Sequence, residues 1–136
     1  MTSPFVLVVS NSCTLRESLS TFLSSTVKVA TLGTAAPAAT LEFVDRRLPD
    51  LVIIDALNQH RQEVALVQEL KRRWPKLRCL VLATGRAEQQ AAQEAGADES
   101  LLWGSVRDQL DGTVLRLLSA RETGAGPGPG RAPDAP

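Results

Sequence analysis

Histidine, cysteine and tyrosine are scarce in this sequence. The chain has one histidine, His60, two cysteines, Cys13 and Cys79, and no tyrosine. A zinc site or a histidine-based catalytic triad needs more of these side chains than the chain provides. The two cysteines are too few and too distant for a disulfide framework, and we expect them to be buried or half-buried apolar residues. We expect His60 to be a solvated residue at a loop or a helix start.

An excess of basic charge and a long apolar run are also lacking. Lysine plus arginine and aspartate plus glutamate number 15 each, so we expect no direct binding of nucleic acid. The apolar run Phe5–Val9 is too short for a membrane span or a signal peptide, and no lysine or arginine precedes it. We therefore expect a cytoplasmic protein without a membrane segment. A length of 136 residues and an apolar fraction of 43% fit a single domain with its own core.

Apolar segments along the chain alternate between the short continuous runs of buried strands and the spacing of amphipathic helices. This alternation predicts five strands and five helices, and therefore an α/β fold with a five-stranded parallel sheet that carries helices on both faces. The predicted strands are Phe5–Val9, Val27–Thr31, Leu51–Ile54, Cys79–Ala83 and Leu101–Trp103. The predicted helices are Thr14–Ser25, Pro37–Leu48, a third with Val64, Val67, Leu70 and Trp74 on one face, Arg86–Ala95 before a Gly96 C-cap, and Val106–Leu118.

The end of the chain differs in composition from the rest. Residues 122–136 read ETGAGPGPGRAPDAP, which is rich in glycine and proline and poor in large apolar side chains. We expect a folded domain over residues 1–121 and a disordered tail or linker over 122–136.

Polar residues follow several of the predicted strands. In open parallel sheets, function concentrates at the carboxyl ends of the strands. Those ends are Ser10–Ser12 after the first strand, Asp55 after the third, Ala83-Thr84 after the fourth and Trp103 on the fifth. We expect Asp55 to mark the functional edge of the sheet.

Three segments resemble the receiver domain of two-component response regulators. They are VLVVSNSCTLRESL, LPDLVIIDALN and AGADESLLW, in the order and spacing of that family. The resemblance spans residues 5 to about 120 and implies a doubly wound (βα)5 fold with strand order 2-1-3-4-5. It also implies a signalling module of a phosphorelay, without enzymatic activity, in which Asp55 matches the phosphoacceptor.

Most of the groups that assist the phosphoacceptor in the family are absent. The acidic pair that joins the aspartate in holding Mg²⁺ falls on Ser10 and Asn11, which are neutral. The lysine that pairs with the phosphoryl group falls on Trp103, which carries no charge. The resemblance thus implies that the Mg²⁺ site is lost, and that Mg²⁺ is a cofactor only if Asp55 is phosphorylated.

Two further positions depart from the family, and a third has two candidate residues. The switch aromatic of the fifth strand falls on Ser100, and the hydroxyl position after the fourth strand falls on Ala83 or Thr84. Glu63 stands where a glycine is common. We therefore expect Asp55 to be a hydrogen-bonded polar residue that accepts from Ser10, Asn11 or Thr84.

The preferred hypothesis is a receiver-like domain that acts through protein contacts. The family resemblance implies a partner such as a histidine kinase or another signalling protein, or a homodimer, at the face of helix 4, strand 5 and helix 5. A working phosphoacceptor at Asp55 is one alternative. A second alternative is a flavodoxin-like protein that binds flavin or a small ligand at the hydroxyl-rich loop 10–14. If no ligand binds at this loop, we expect Ser12 or Cys13-Thr14 to cap the first helix. Trp103 either anchors a partner or fills the space of the missing lysine and metal.

Overall fold

The computed structural model describes residues 5–26, 31–55 and 60–122, which form alternating strands and helices. The strands are β1 (Phe5–Val9), β2 (Thr31–Ala35), β3 (Leu51–Asp55), β4 (Arg78–Ala83) and β5 (Glu99–Leu102). The helices are α1 (Cys13–Thr26), α2 (Thr40–Arg46), α3 (His60–Arg73), α4 (Arg86–Ala95) and α5 (Val106–Glu122). Two 3₁₀ turns, Pro37–Ala39 and Trp103–Ser105, precede α2 and α5.

The five strands form one parallel sheet in the order β2-β1-β3-β4-β5. This confirms the predicted fold class and strand order. The carboxyl ends of β1 and β3 lie side by side, because Val9 pairs with Ile54 in the register of the two strands. Ser10, which follows β1, and Asp55, the last residue of β3, are therefore neighbours where the two strands end.

Alternating strand residues pack on opposite faces of the sheet, and each face has its own apolar cluster. Val8 and Ile53 lie in the cluster under α1 and α5, whereas Val9 and Ile54 lie in the cluster under α2, α3 and α4. Every residue of β1 and β3 is buried, as continuous apolar runs in a doubly covered sheet require. Within the described residues, no helix is long and apolar enough to cross a bilayer.

The second strand lies later in the sequence than predicted. β2 begins at Thr31 rather than Val27, and residues 27–30 lie outside the described part of the chain. The β-branched residues of Val27–Thr31 favoured a strand there, but packing determines the position of this edge strand. Gly33 pairs with Leu7, and a Cβ atom built on Gly33 would lie 2.8 Å from the Phe5 ring, so the pairing needs a small residue at this point.

Three other predicted boundaries also change. Helix α2 ends at Arg46, so Leu48 follows it and is 54% exposed. Trp103 begins a 3₁₀ turn, because the pairing of β5 with β4 ends at Leu102. Glu122 is the last residue of α5, and the rest of the predicted tail lies outside the described residues.

The turn between α4 and β5 fixes the amino-terminal end of β4. Gly96 ends α4 with φ 111°, which confirms the predicted left-handed C-cap. Asp98 then accepts hydrogen bonds from the backbone N–H of Cys79 at 2.8 Å and from Lys71 Nζ at 3.1 Å. Cys79 is buried as expected. Cys13, expected to be buried or half-buried, is the first residue of α1 and is exposed.

Candidate functional site

Asp55 is buried at the carboxyl end of β3 and accepts hydrogen bonds from two neutral donors. The residue is 3% exposed. The Ser10 hydroxyl donates to Oδ2 at 2.8 Å, and the Trp103 indole N–H donates to Oδ1 at 3.2 Å. Because a buried carboxylate is costly without hydrogen-bond donors, these two contacts stabilise Asp55 in place.

Ser10 connects Asp55 to the start of α1 and to the edge strand. Its hydroxyl oxygen, which donates to Asp55, also accepts from the backbone N–H of Ser12 at 3.0 Å. Its own N–H donates to the carbonyl of Ala35 at 3.2 Å, and its carbonyl accepts from Arg16 Nη1 at 2.6 Å. Ser10 is completely buried, so the loop between β1 and α1 is held by hydrogen bonds within the chain.

Ser12 confirms the prediction that a hydroxyl of this loop caps α1. Its side-chain oxygen accepts the backbone N–H of Leu15 at 3.2 Å, the usual N-cap contact. The hydroxyls of Ser10 and Ser12 therefore both form hydrogen bonds within the protein.

Trp103 fills the place that the resemblance assigns to a lysine. Its half-buried ring packs against the apolar cluster under α1 and α5, while the indole N–H reaches Asp55. An indole donates one hydrogen bond and carries no charge. The residue thus satisfies an oxygen of Asp55 without neutralising a phosphoryl group.

The other predicted pocket residues lie apart from this contact. Asn11 and Thr84 are exposed at the edge of the sheet. Ser100 is buried, but α4 holds it: Gln93 Nε2 donates to its hydroxyl at 3.3 Å and Gln89 Nε2 to its carbonyl at 3.1 Å. The structure therefore brings Ser10 and Trp103 to Asp55, and places Ser100 in a separate contact between α4 and β5.

Glu63 is a buried acidic residue near Asp55 that the sequence reasoning did not assign to the site. It lies in the first turn of α3 and is 2% exposed. Its Oε1 atom has no hydrogen-bond partner among the described residues. Burial raises the pKa of Glu63 to about 7; its own backbone N–H opposes the change, and the charge of Asp55 adds to it. An acidic residue at a position where the family has glycine was the signal in the sequence.

The residues at this edge do not fit a receiver-type Mg²⁺ site. The acidic-pair positions are the neutral Ser10 and Asn11, and Ser10 donates to Asp55 where a metal ligand would be needed. Across the described ranges, no group of three or more histidine, cysteine, aspartate or glutamate side chains could hold a metal ion.

No protein-family model matches the chain. A curated relative, protein-glutamate methylesterase/protein-glutamine glutaminase 5 of Anaeromyxobacter dehalogenans (strain 2CP-C), is 32% identical over 132 residues. The match covers 93% of this chain and 36% of the relative, so the chain spans about a third of that protein's length.

Solved structures of similar shape cover most of the chain. A response regulator receiver domain protein from Clostridium thermocellum is 16% identical with a TM-score of 0.78, and the match covers 90% of this chain and 99% of that one. A response regulator from Thermotoga maritima is 21% identical with a TM-score of 0.73, covering 86% of this chain and 98% of that one.

Proposed function

Because this chain has the fold of response-regulator receiver domains, we propose that it is an atypical receiver-like module of a two-component pathway. It acts in the cytoplasm through protein contacts and has no catalytic output of its own. Asp55 serves this module as a buried, hydrogen-bonded residue rather than as an ordinary phosphoacceptor.

The observation that carries this proposal is the pair of neutral donors on Asp55. Ser10 and Trp103 satisfy both carboxylate oxygens where the family has an acidic residue and a lysine. Without a metal or a lysine, the charge that builds on a transferring phosphoryl group has little compensation. A comparable cationic contact is worth ~10³–10⁵ in rate in other phosphoryl-transfer enzymes. Ordinary phosphorylation of Asp55 is therefore disfavoured by a large factor.

The contact between α4 and β5 supports the same proposal. Gln89 and Gln93 hold both the carbonyl and the hydroxyl of Ser100, the position of the family's switch aromatic. A serine fixed by two side-chain amides cannot reproduce the movement of a large ring. The position of α4 on β5 is thus set by contacts that do not involve Asp55.

The face formed by α4, β5 and α5 is the surface we propose for the partner. A groove of about 460 Å³ runs along it, lined by polar residues that include Gln89 and Gln109. Glu99 and Arg116 form an ion pair in the same groove. Both charge signs are present, which suits a histidine kinase or another signalling protein, or a second copy of the chain, better than nucleic acid.

Treatment with acetyl phosphate tests the state of Asp55. We expect no phosphoprotein on a phosphate-affinity gel, with an ordinary receiver domain as the positive control. We also expect no rise in melting temperature with millimolar Mg²⁺, because no acidic pair is present to bind it. A phosphoprotein that disappears in Asp55→Asn would show instead that Asp55 is a working phosphoacceptor. A stabilisation of several degrees by Mg²⁺ would show that the domain retains a metal site.

Partner contacts are tested by charge reversal on the proposed face. Sedimentation velocity and a pull-down of the cognate kinase would compare the wild type with Arg116→Glu and with the double variant Glu99→Arg/Arg116→Glu. We expect the single variant to weaken association and the double variant to restore it in a homodimer. Asp55→Asn should leave association unchanged, and its loss in that variant would indicate a phosphorelay role.

A further inference from the structure

The two outer strands of the sheet, β2 and β5, are protected to different degrees. At β5, Gln89 Nε2 donates to the backbone carbonyl of Ser100 at 3.1 Å, and Arg116 forms an ion pair with Glu99. β2 consists of five neutral residues without proline, and among the described strands it pairs with β1 alone. Its register with β1 runs residue for residue, without a bulge. Because edge strands are normally blocked by charged side chains, proline or bulges, β2 lacks the usual protection against pairing.

The direction of the backbone groups of β2 follows from one hydrogen bond at its end. The carbonyl of Ala35 accepts from the N–H of Ser10 at 3.2 Å, so the backbone groups of Ala35 point toward β1. The N–H and C=O of one strand residue point to the same side, and this side alternates along the strand. The groups of Gly33 therefore also point toward β1, whereas those of Leu32 and Thr34 point outward. Thr34 is exposed, and the edge offers two donors and two acceptors to another strand.

This arrangement of donors and acceptors is self-complementary about Gly33. When two copies of β2 run antiparallel with the two Gly33 residues opposite each other, Leu32 of each copy faces Thr34 of the other. Residues with outward backbone groups exchange both hydrogen bonds in such a pair, so the two pairs form four. The two Gly33 residues then form the pair without hydrogen bonds, in which the Cα atoms lie about 4.5 Å apart and side chains are closest. A glycine at this point avoids that crowding, and a neutral strand brings no like charges together.

Two aromatic rings lie over Gly33 on one face of the sheet. Phe43 is half-buried, and its ring lies 3.5 Å from the Cβ position of Gly33. It stacks on Phe5, with ring centroids 5.9 Å apart. Opposite residues of an antiparallel pair point to the same face of the sheet, so the stacked rings of two copies lie on one face, on either side of the joint. The rings therefore add apolar surface next to the paired backbones.

From these features we infer that β2 is the pairing edge of a weak homodimer, in which the β2 strand of a second copy joins antiparallel and the two five-stranded sheets become continuous. The occupant is a second copy because one register, centred on Gly33, satisfies the outward groups of both strands and places the smallest residue where the strands are closest. A joint of two short strands is smaller than the ~1,200 Å² that stable complexes bury, so the dimer should depend on protein concentration. It uses a different surface from the face of α4, β5 and α5, and it does not depend on the proposed function.

Amide hydrogen exchange, measured by NMR at low and high protein concentration, tests the pairing residue by residue. The amides of Leu32 and Thr34 point outward, so we expect their exchange to slow as the concentration rises. The amides of Gly33 and Ala35 bond to β1 in the monomer and in the dimer, and they serve as internal references. Sedimentation velocity over the same concentrations measures the dissociation constant of the dimer.

Three substitutions of the exposed Thr34 test the contribution of the edge. Thr34→Pro removes one outward N–H from each copy, and therefore two of the four hydrogen bonds, but none of the N–H groups that bond to β1. We expect it to weaken the dimer by roughly 10- to 100-fold. Thr34→Lys places a cation at the joint in each copy and should also weaken the dimer, so it provides the test if proline disturbs the fold. Thr34→Val keeps both backbone groups and should retain the dimer, and the melting temperature of each variant reports its fold.

Three results would overturn the β2 dimer. One is a wild type that stays monomeric up to its solubility limit, with exchange at Leu32 and Thr34 independent of concentration. Another is a dimer of unchanged affinity in folded Thr34→Pro or Thr34→Lys. The third is a dimer that is lost in Arg116→Glu but kept in Thr34→Pro, which would place it at the face of α4, β5 and α5. The acetyl phosphate assay and the kinase pull-down do not involve this edge, so failure of the proposed function and failure of the dimer are distinguishable.

Discussion

Replacing Glu63 by glutamine should change how the stability of this domain depends on pH. Glu63 is 2% exposed, and the pKa of its carboxyl is raised from 4.5 to about 7, chiefly by burial, with a smaller contribution from Asp55. A pKa change of this size corresponds to roughly 3 kcal/mol of free energy of unfolding. Because local relaxation around an ionised buried carboxyl lowers the cost of its desolvation, we expect about 1–2 kcal/mol to be observed.

The direction of the effect follows from proton binding. Below pH 4.5 the carboxyl of Glu63 is protonated in both the folded and the unfolded chain, so its burial carries no cost of burying a charge. Between pH 4.5 and about 7 the unfolded chain loses the proton first, so stability falls as the pH rises. Glu63→Gln has no proton to lose. The variant should be more stable than the wild type at pH 8 by about 1–2 kcal/mol, and nearly equal to it at pH 4.5.

Urea unfolding at a series of pH values, followed by tryptophan fluorescence, measures this difference. Comparing the variant with the wild type at each pH isolates the contribution of Glu63 to the stability. The matched control is Glu94→Gln, which alters an exposed glutamate on α4 and should leave the pH dependence of the wild type unchanged. If Glu63→Gln shows the same pH dependence as the wild type, or is the less stable protein at pH 8, then Glu63 is not held at a raised pKa by burial.

Three other substitutions or treatments test the fold around the site. Gly96→Ala should lower the free energy of unfolding by about 1–2 kcal/mol, because Gly96 has a φ of 111°. Gly112→Ala should raise it by about 0.5–1 kcal/mol, because Gly112 lies inside α5 and a Cβ atom there would meet nothing within 4 Å. Equal effects of the two variants in urea unfolding would contradict this. A disulfide reagent should label Cys13 alone in the folded protein, because Cys79 is buried and its pKa is raised to about 12 by burial; two fast thiols would refute that burial. Asp98→Asn should cost about 1–3 kcal/mol by weakening three charge-assisted contacts, and an unchanged melting temperature would show that they do not stabilise the turn.

The fold was predictable because buried parallel strands have a clear signature. Leu51–Ile54 is apolar on both faces of the sheet, and so it appears in the sequence as a continuous run rather than as an alternation. An edge strand lacks that signature. β2 contains Gly33, and glycine has a low propensity for strands. Glycine is nevertheless needed at this position, because the Phe5 ring packs against it. Pairwise packing of this kind cannot be read from local composition.

Part of the site was predictable and part was not. The order of the strands brings Ser10 and Asp55 together, so that contact follows from topology alone. The hydrogen bond from Trp103 depends on the 3₁₀ turn that starts at that residue, and the sequence predicted a strand there. The burial of Glu63 depends on which face of α3 meets the sheet, and in the sequence it is one charged residue among several in a helix with a polar surface.

The departures at the functional edge are physically consistent with one another. A lysine at position 103 would be a half-buried cation close to Asp55, and with neutral Ser10 and Asn11 beside it the lysine would form an ion pair with Asp55 in the absence of a phosphoryl group. An acidic residue at position 10 would place a second carboxylate where Ser10 now donates, and the two would repel without a metal. Either change alone therefore disturbs Asp55, whereas a hydroxyl and an indole together satisfy it. Ser10 and Trp103 place a neutral donor on each oxygen of the buried Asp55 carboxylate.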